Sequence, residues 1–193
     1  MIQALSQAEA EVMIDEAIAA CPNEERQYLC LRLGLLDSAV VVCPLVHRMV
    51  GQESDSVRIA AAWSLLQIGD LRAIDGLVQA LSDPCQRVVQ LACNALGELV
   101  ASCVRVPLVS LLDHPAAQIR LSAAMALLQI EIKDERILLT LEGLKEDSDV
   151  MSHDVAAEWL QSEIKAGDID GTRRSSQKKL ADLIEEARKL VSQ

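Results

Sequence analysis

The stretch DSVRIAAAWSLLQIGD at residues 55–70 decides the fold, because the chain repeats its pattern downstream. Its segment SLLQI at 64–68 returns as ALGEL at 95–99 and as ALLQI at 126–130. Both intervals are 31 residues (95 − 64 and 126 − 95). A spacing kept over apolar, small and polar positions is typical of an array of structural repeats.

Each repeat is predicted to be a pair of helices. Val57, Ala61 and Leu65 fall at helical spacing and form the apolar stripe of the second helix. The first helix recurs as PLV at 44–46, GLV at 76–78 and PLV at 107–109. One such pair cannot bury its own apolar face, so we expect the pairs to stack into one continuous core.

The link between the two helices of a repeat also recurs, as Asp83-Pro84 and as His114-Pro115. Asp is a good N-cap and Pro suits the first position of a helix, so the sequence predicts that the second helix begins at Pro84.

The pattern resembles the HEAT-repeat family in its short bacterial form, which is also found in phycobilisome lyase subunits. The resemblance covers residues 35–164 and rests on Asp55, Val57, Arg58, Ala60, Ala61, Ala62, Leu65, Ile68, Gly69 and Asp70. It implies an all-α fold, a right-handed α-solenoid of stacked antiparallel helix pairs. It also implies that Arg58 and Arg120, which share a repeat position, bond an Asp of a neighbouring repeat.

The sequence divides into three parts. Residues 1–165 form the predicted solenoid, with a degenerate cap pair at 5–36 and four repeats ending at 164, followed by a linker at 166–177. A C-terminal amphipathic helix is predicted over 178–193, with one apolar face made of Leu180, Leu183, Ile184, Ala187, Leu190 and Val191. An isolated helix of this length is marginal in water, so we expect it to dock in cis, on another copy or on a partner.

Charge and composition limit the partner. The net charge is −11, and residues 1–165 alone carry 12 basic and 24 acidic side chains, or −12. An acidic body opposes nucleic-acid binding, which needs a basic stripe, and permits a basic protein partner; the alternative is that the excess acid serves solubility alone. The apolar run at 38–46 is too short to span a bilayer, and no secretory leader is recognised, so we expect a cytoplasmic protein without membrane contact.

The sequence predicts neither a cofactor nor a metal site, and no catalytic residues. No two of the six cysteines are separated by two residues, the spacing of zinc and redox motifs. None of His47, His114 and His153 has a second His or a carboxylate at metal-ligand helical spacing beyond chance. We expect buried, reduced thiols, with Cys85 in the first turn of a helix as the one candidate for raised reactivity. Trp159 is expected to pack inside the last helix pair.

Positions that vary between aligned second helices predict a partner-binding face. Spacing of four residues places them along one side of each helix, offset from the apolar stripe. The HEAT resemblance puts that side on the concave surface of the array. The predicted partner-binding residues are Ile59, Trp63, Gln67, Gln90, Asn94, Glu98, Leu121, Met125 and Gln129.

The leading functional hypothesis is a non-catalytic scaffold or adaptor that binds a protein on this face. The first alternative, from the family resemblance, is a bilin lyase or lyase-like subunit acting on a phycobiliprotein. The second is a small regulatory subunit of a larger complex. The chain has only two Trp, one Tyr and no Phe, which disfavours a tetrapyrrole site lined by aromatic side chains.

Overall fold

The computed structural model describes residues 7–35, 39–100, 104–144 and 181–192. Helices and turns make up these residues, and no strand occurs among them. The predicted second helix of the fourth repeat, with Trp159, and the linker at 166–177 lie outside the described residues. The chain divides into two compact units, Met1–Val104 and Arg105–Gln193.

The described residues of unit 1 form three helix pairs. The first helices are α1 (Gln7–Ala20), α3 (Val42–Val50) and α5 (Ile74–Ala80), and the second helices are α2 (Asn23–Leu33), α4 (Asp55–Ile68) and α6 (Gln86–Glu98). Short 3-10 turns at Ala39–Val41 and Leu71–Ala73 lead into α3 and α5. The first helices pack in the order α1, α3, α5 and the second helices in the order α2, α4, α6. Unit 1 is therefore a two-layered stack, as the 31-residue register predicts.

The core of this stack is thin, because small residues stand where neighbouring helices meet. Ala61, Ala62 and Ala92 are fully buried on α4 and α6. A Cβ on Gly34, just after α2, would lie 2.5 Å from the Ser64 Cβ and 2.8 Å from its Cα. The Ser64 hydroxyl donates to the carbonyl of Cys30 on α2 at 2.9 Å, so α2 and α4 are joined closely.

Largely buried arginines connect successive pairs at one recurring position. Arg58 on α4 bonds Asp83 of the following repeat. It donates from Nε to Asp83 Oδ2 at 2.8 Å and from Nη2 to Asp83 Oδ1 at 3.1 Å. This confirms the partner that the family resemblance implies for Arg58. Arg26 stands 32 residues earlier, on α2, and its guanidinium pairs with Glu53 of the following repeat through a single hydrogen bond. Two ion pairs, called the ion-pair ladder below, therefore connect the three helix pairs of unit 1.

The same arginines also bond the loop that precedes their own helix. Arg26, Arg58 and Arg120 each donate to the carbonyl oxygen five residues earlier, at Cys21, Glu53 and Pro115 respectively. These bonds satisfy carbonyl groups that turns would otherwise leave unpaired. The arginine at this repeat position thus bonds the loop before its own helix, whether or not the next repeat supplies an acidic partner.

The Asp83-Pro84 link corrects the predicted helix start. Helix α6 begins at Gln86, with Cys85 as the preceding residue, rather than at Pro84. Asp83 Oδ1 accepts the backbone N–H of Cys85 at 2.7 Å, and its carboxylate is already paired with Arg58. In unit 2, His114 Nδ1 accepts the N–H of Ala116 at 3.1 Å, so the imidazole takes the role of the carboxylate in the turn.

Unit 2 contains the third repeat and the start of the fourth. Helix α7 (Arg105–Ser110) continues as a 3-10 turn at Leu111–Asp113, followed by α8 (Ala117–Gln129) and α9 (Glu135–Gly143). A further helix, α10, spans 181–191. It buries Ile184 and Ala187, and its Arg188 pairs with Glu142 of α9 at 2.7 Å.

Candidate partner-binding surface

Helix α4 has one open side. Its residues that point toward α2, α3 and α6 are buried, whereas Gln67 is exposed and Ile59 and Trp63 are half-buried. These three residues are spaced by four, so they lie along one side of the helix. The large indole of Trp63 is therefore partly accessible at the middle of the second layer.

Helix α6 continues this surface with polar groups. Asn94, 31 residues after Trp63, is half-buried, and Glu98, 31 residues after Gln67, is exposed. Partial burial of the carboxyl group raises the pKa of Glu98, and within the described residues no cation pairs with its carboxylate. A partly desolvated carboxylate without a counter-charge favours a cationic group from outside.

Sequence reasoning missed the part of the surface that lies on α2 and just after its end. Leu31 stands 32 residues before Trp63 and is half-buried, and Leu35 stands 32 residues before Gln67 and is 73% exposed. These two residues could have been found from the 32-residue spacing, which also relates Arg26 to Arg58. The accessible residues at these positions of the second layer in unit 1 (Leu31, Leu35, Ile59, Trp63, Gln67, Asn94 and Glu98) are called the second-layer surface below.

Two of the predicted residues are covered. Gln90 is 6% exposed and its side-chain oxygen accepts a bond from Arg87 at 3.2 Å. Leu121 in unit 2 is 7% exposed. Both drop out of the candidate surface, because a buried side chain cannot meet a partner without rearrangement. In unit 2, α8 presents Gln129 as exposed and Met125 as half-buried.

The described residues offer little chemistry. No group of three or more His, Cys, Asp or Glu within them is placed to hold a metal ion. Burial raises the pKa of Cys30 to about 11 and that of Cys93 to about 12, so both thiols stay protonated at neutral pH. The Cys85 thiol is half-buried.

No helix within the described parts of the chain is long and apolar enough to cross a bilayer.

Comparison with known proteins places this architecture. No curated protein matches the chain. One similar solved structure is an engineered protein from the Northeast Structural Genomics Consortium, which is 20% identical with a TM-score of 0.52. That comparison covers 92% of this chain and 97% of the engineered one, and it shows the fold alone.

A second similar structure is the complex of CpcE and CpcF of phycocyanin lyase from Nostoc sp. PCC7120. It is 14% identical with a TM-score of 0.44, covering 96% of this chain and 96% of that chain. The sequence profile of HEAT repeats matches residues 10–97, which span the three helix pairs of unit 1 up to Gly97. Residues 10–97 are therefore similar to the HEAT-repeat family.

Proposed function

We propose that the chain is a non-catalytic scaffold whose protein partner binds the second-layer surface. The observation that carries the proposal is the partly accessible Trp63 at the centre of this surface, with Ile59 beside it and the exposed Leu35 at its edge. Trp is enriched among residues that dominate binding energy, and repeat arrays use extended surfaces for recognition.

Glu98 adds a charge preference to this surface. Its carboxylate is unpaired among the residues described, whereas Glu53 and Asp83 in the same unit are held by arginines. A lysine or arginine of the partner next to an apolar side chain that contacts Trp63 would satisfy both features. The net charge of −11 would steer such a basic partner toward the chain.

The test starts with affinity capture and mass spectrometry, using four baits of the full chain: wild type, Trp63→Ala, Glu98→Arg and the control Leu139→Ala. Leu139 is an apolar residue of α9 that is 61% exposed and belongs to unit 2. A true partner is retained by wild type and control and is lost by the first two variants. Titration calorimetry with the purified partner should then show a loss of about 2 kcal/mol for Trp63→Ala, roughly 30-fold in Kd.

The result that would contradict the proposal is equally specific. Trp63 is half-buried, so truncation can also lower stability, and circular dichroism must establish the folded fraction of each variant. If folded Trp63→Ala keeps full affinity for every captured protein, the indole is a packing residue and the partner site lies elsewhere.

The bilin lyase alternative and the regulatory-subunit alternative stay predictions. Mixing the chain with a free bilin and recording absorbance separates the first from a scaffold. An unchanged spectrum, with no transfer of the bilin to a phycobiliprotein, would remove the lyase hypothesis. Mass spectrometry of the captured assembly addresses the second alternative.

A further inference from the structure

A second surface lies on the outer side of α2, apart from the second-layer surface. An open cleft of about 480 Å³ is lined by Cys21, Glu25, Tyr28, Leu29 and Arg32. Tyr28 is 64% exposed there, and the Arg32 guanidinium lies 5.9 Å from the centre of its ring. Among the described helices, α2 packs mainly on α1 and α4, which leaves this side of α2 open.

The repeat register shows what this side corresponds to elsewhere in unit 1. The positions 32 residues later on α4 are all buried, and they are Val57, Ala60, Ala61 and Ser64. Ser64 donates to the Cys30 carbonyl of α2, so this side of α4 receives the preceding helix of its layer. The open side of α2 therefore has the position that a helix–helix interface occupies in the next repeat.

The side chains on this face have a self-complementary order. Glu25 and Arg32 are seven residues apart, about 10.5 Å or two turns along one side of α2, with Tyr28 and Leu29 between them. The midpoint of the four residues falls between Tyr28 and Leu29. If two copies of α2 run antiparallel about that midpoint, each Glu25 lies opposite the other copy's Arg32, and each Tyr28 lies opposite Leu29. Neither Glu25 nor Arg32 has an ion-pair partner among the described residues.

We propose that this face binds a second copy of the chain through an antiparallel α2–α2 contact with two-fold symmetry. In a two-fold interface residue i contacts j and j contacts i, which is the arrangement that the Glu25 and Arg32 pair provides. Tyr28 and Leu29 supply the apolar centre, and the two ion pairs fix the direction of the helices. This proposal is independent of the partner site on the second-layer surface.

Sedimentation equilibrium of the full chain over a concentration series tests the proposal. We expect wild type to dimerise and expect Glu25→Arg or Arg32→Glu alone to weaken the dimer at least about tenfold, since each change places two like-charge pairs across the interface. The swap Glu25→Arg with Arg32→Glu should restore dimerisation. Glu186→Arg and Lys133→Glu, which are exposed and make the same changes in net charge, are matched controls that should behave as wild type.

Mixing the two single variants tests whether these charges meet across the interface. In the mixed dimer, the arginine introduced at position 25 of one copy lies opposite the glutamate introduced at position 32 of the other. The unchanged Arg32 of the first copy then lies opposite the unchanged Glu25 of the second. Both pairs are attractive, so Glu25→Arg mixed with Arg32→Glu should dimerise more tightly than either variant does alone.

Two results would overturn the proposal. A wild-type chain that stays monomeric at about 1 mM would leave this face as a solvated cap. A dimer that is insensitive to both single reversals would have its contact on another surface, or would pair its α2 helices in parallel. Parallel helices place Glu25 opposite Glu25 and Arg32 opposite Arg32 in the wild type, so neither single reversal would add a like-charge pair.

Discussion

Replacing Gly34 with Ala tests the closest helix contact in unit 1. Gly34 has φ −62°, which any residue adopts, so the backbone itself accepts alanine. The added Cβ would lie 2.5 Å from the Ser64 Cβ, 2.6 Å from its Oγ and 2.8 Å from its Cα. Carbon atoms pack best at about 3.5–4.0 Å, so α2 and α4 would have to separate by about 1 Å.

The expected loss is about 2 kcal/mol. Overpacking of this kind typically costs about 1–3 kcal/mol, and the separation also lengthens the bond from the Ser64 hydroxyl to the Cys30 carbonyl. The Cα of Ser64 is backbone, so a rotamer change cannot relieve the whole contact. The intrinsic preference of alanine over glycine offsets at most about 1 kcal/mol of this loss.

Urea unfolding followed by circular dichroism measures the effect. With a slope of about 2 kcal/mol per molar urea, the midpoint of Gly34→Ala should fall by about 1 M. Gly143→Ala is the matched control, because Gly143 is helical and a Cβ there meets nothing within 4 Å. The control should leave the midpoint unchanged or raise it slightly. If Gly34→Ala is as stable as wild type, α2 and α4 do not approach each other as described.

Three further predictions concern the core, the ion-pair ladder and a turn. Ala61→Leu or Ala123→Leu should lower stability by about 1–3 kcal/mol, because both alanines are fully buried, and an unchanged melting temperature would contradict this. Arg58→Met should cost about 3 kcal/mol because it leaves the buried Asp83 carboxylate without its cation, and in a double mutant with Asp83→Asn the two losses should not add. Asp134→Asn should lower stability at neutral pH, because hydrogen bonds from Arg136 hold the pKa of Asp134 below its ordinary value of 3.8. A carboxylate whose pKa is lowered in the folded state stabilises the fold at pH values above its unfolded-state pKa, and this stability is lost as pH falls through the folded-state pKa. The difference in stability between Asp134→Asn and wild type should therefore vanish over that pH range. A difference in stability that persists at lower pH would contradict the assignment.

The candidate surface was only partly predictable. Trp63 and Glu98 were found because they stand at offset positions in aligned helices, and both are accessible. Gln90 occupies an equivalent position but is covered, since its side chain bonds Arg87 and lies within the layer. Leu31 and Leu35 were missed because the first pair deviates from the repeat pattern, although the 32-residue spacing relates them to Trp63 and Gln67.

The sequence by itself determined the helices and their order of stacking. The apolar stripe can be recognised in the sequence, because the period of the α-helix dictates which residues share a side. The 31-residue register can be recognised there too, because it is a spacing between residues of the sequence itself. The family resemblance implied that Arg58 bonds an Asp of a neighbouring repeat, and the structure identifies that residue as Asp83.

Only the tertiary structure decided which equivalent positions are covered and which are open. Ala60 on α4 is buried because α2 packs beside it, whereas Tyr28 at the same position on α2 is exposed because no described helix packs there. Gly34 has no special backbone angle, and its importance arises from the Ser64 backbone of another helix. Burial is a property of the neighbours that stacking brings together, and a repeat pattern fixes the equivalence of positions without fixing what lies against each one.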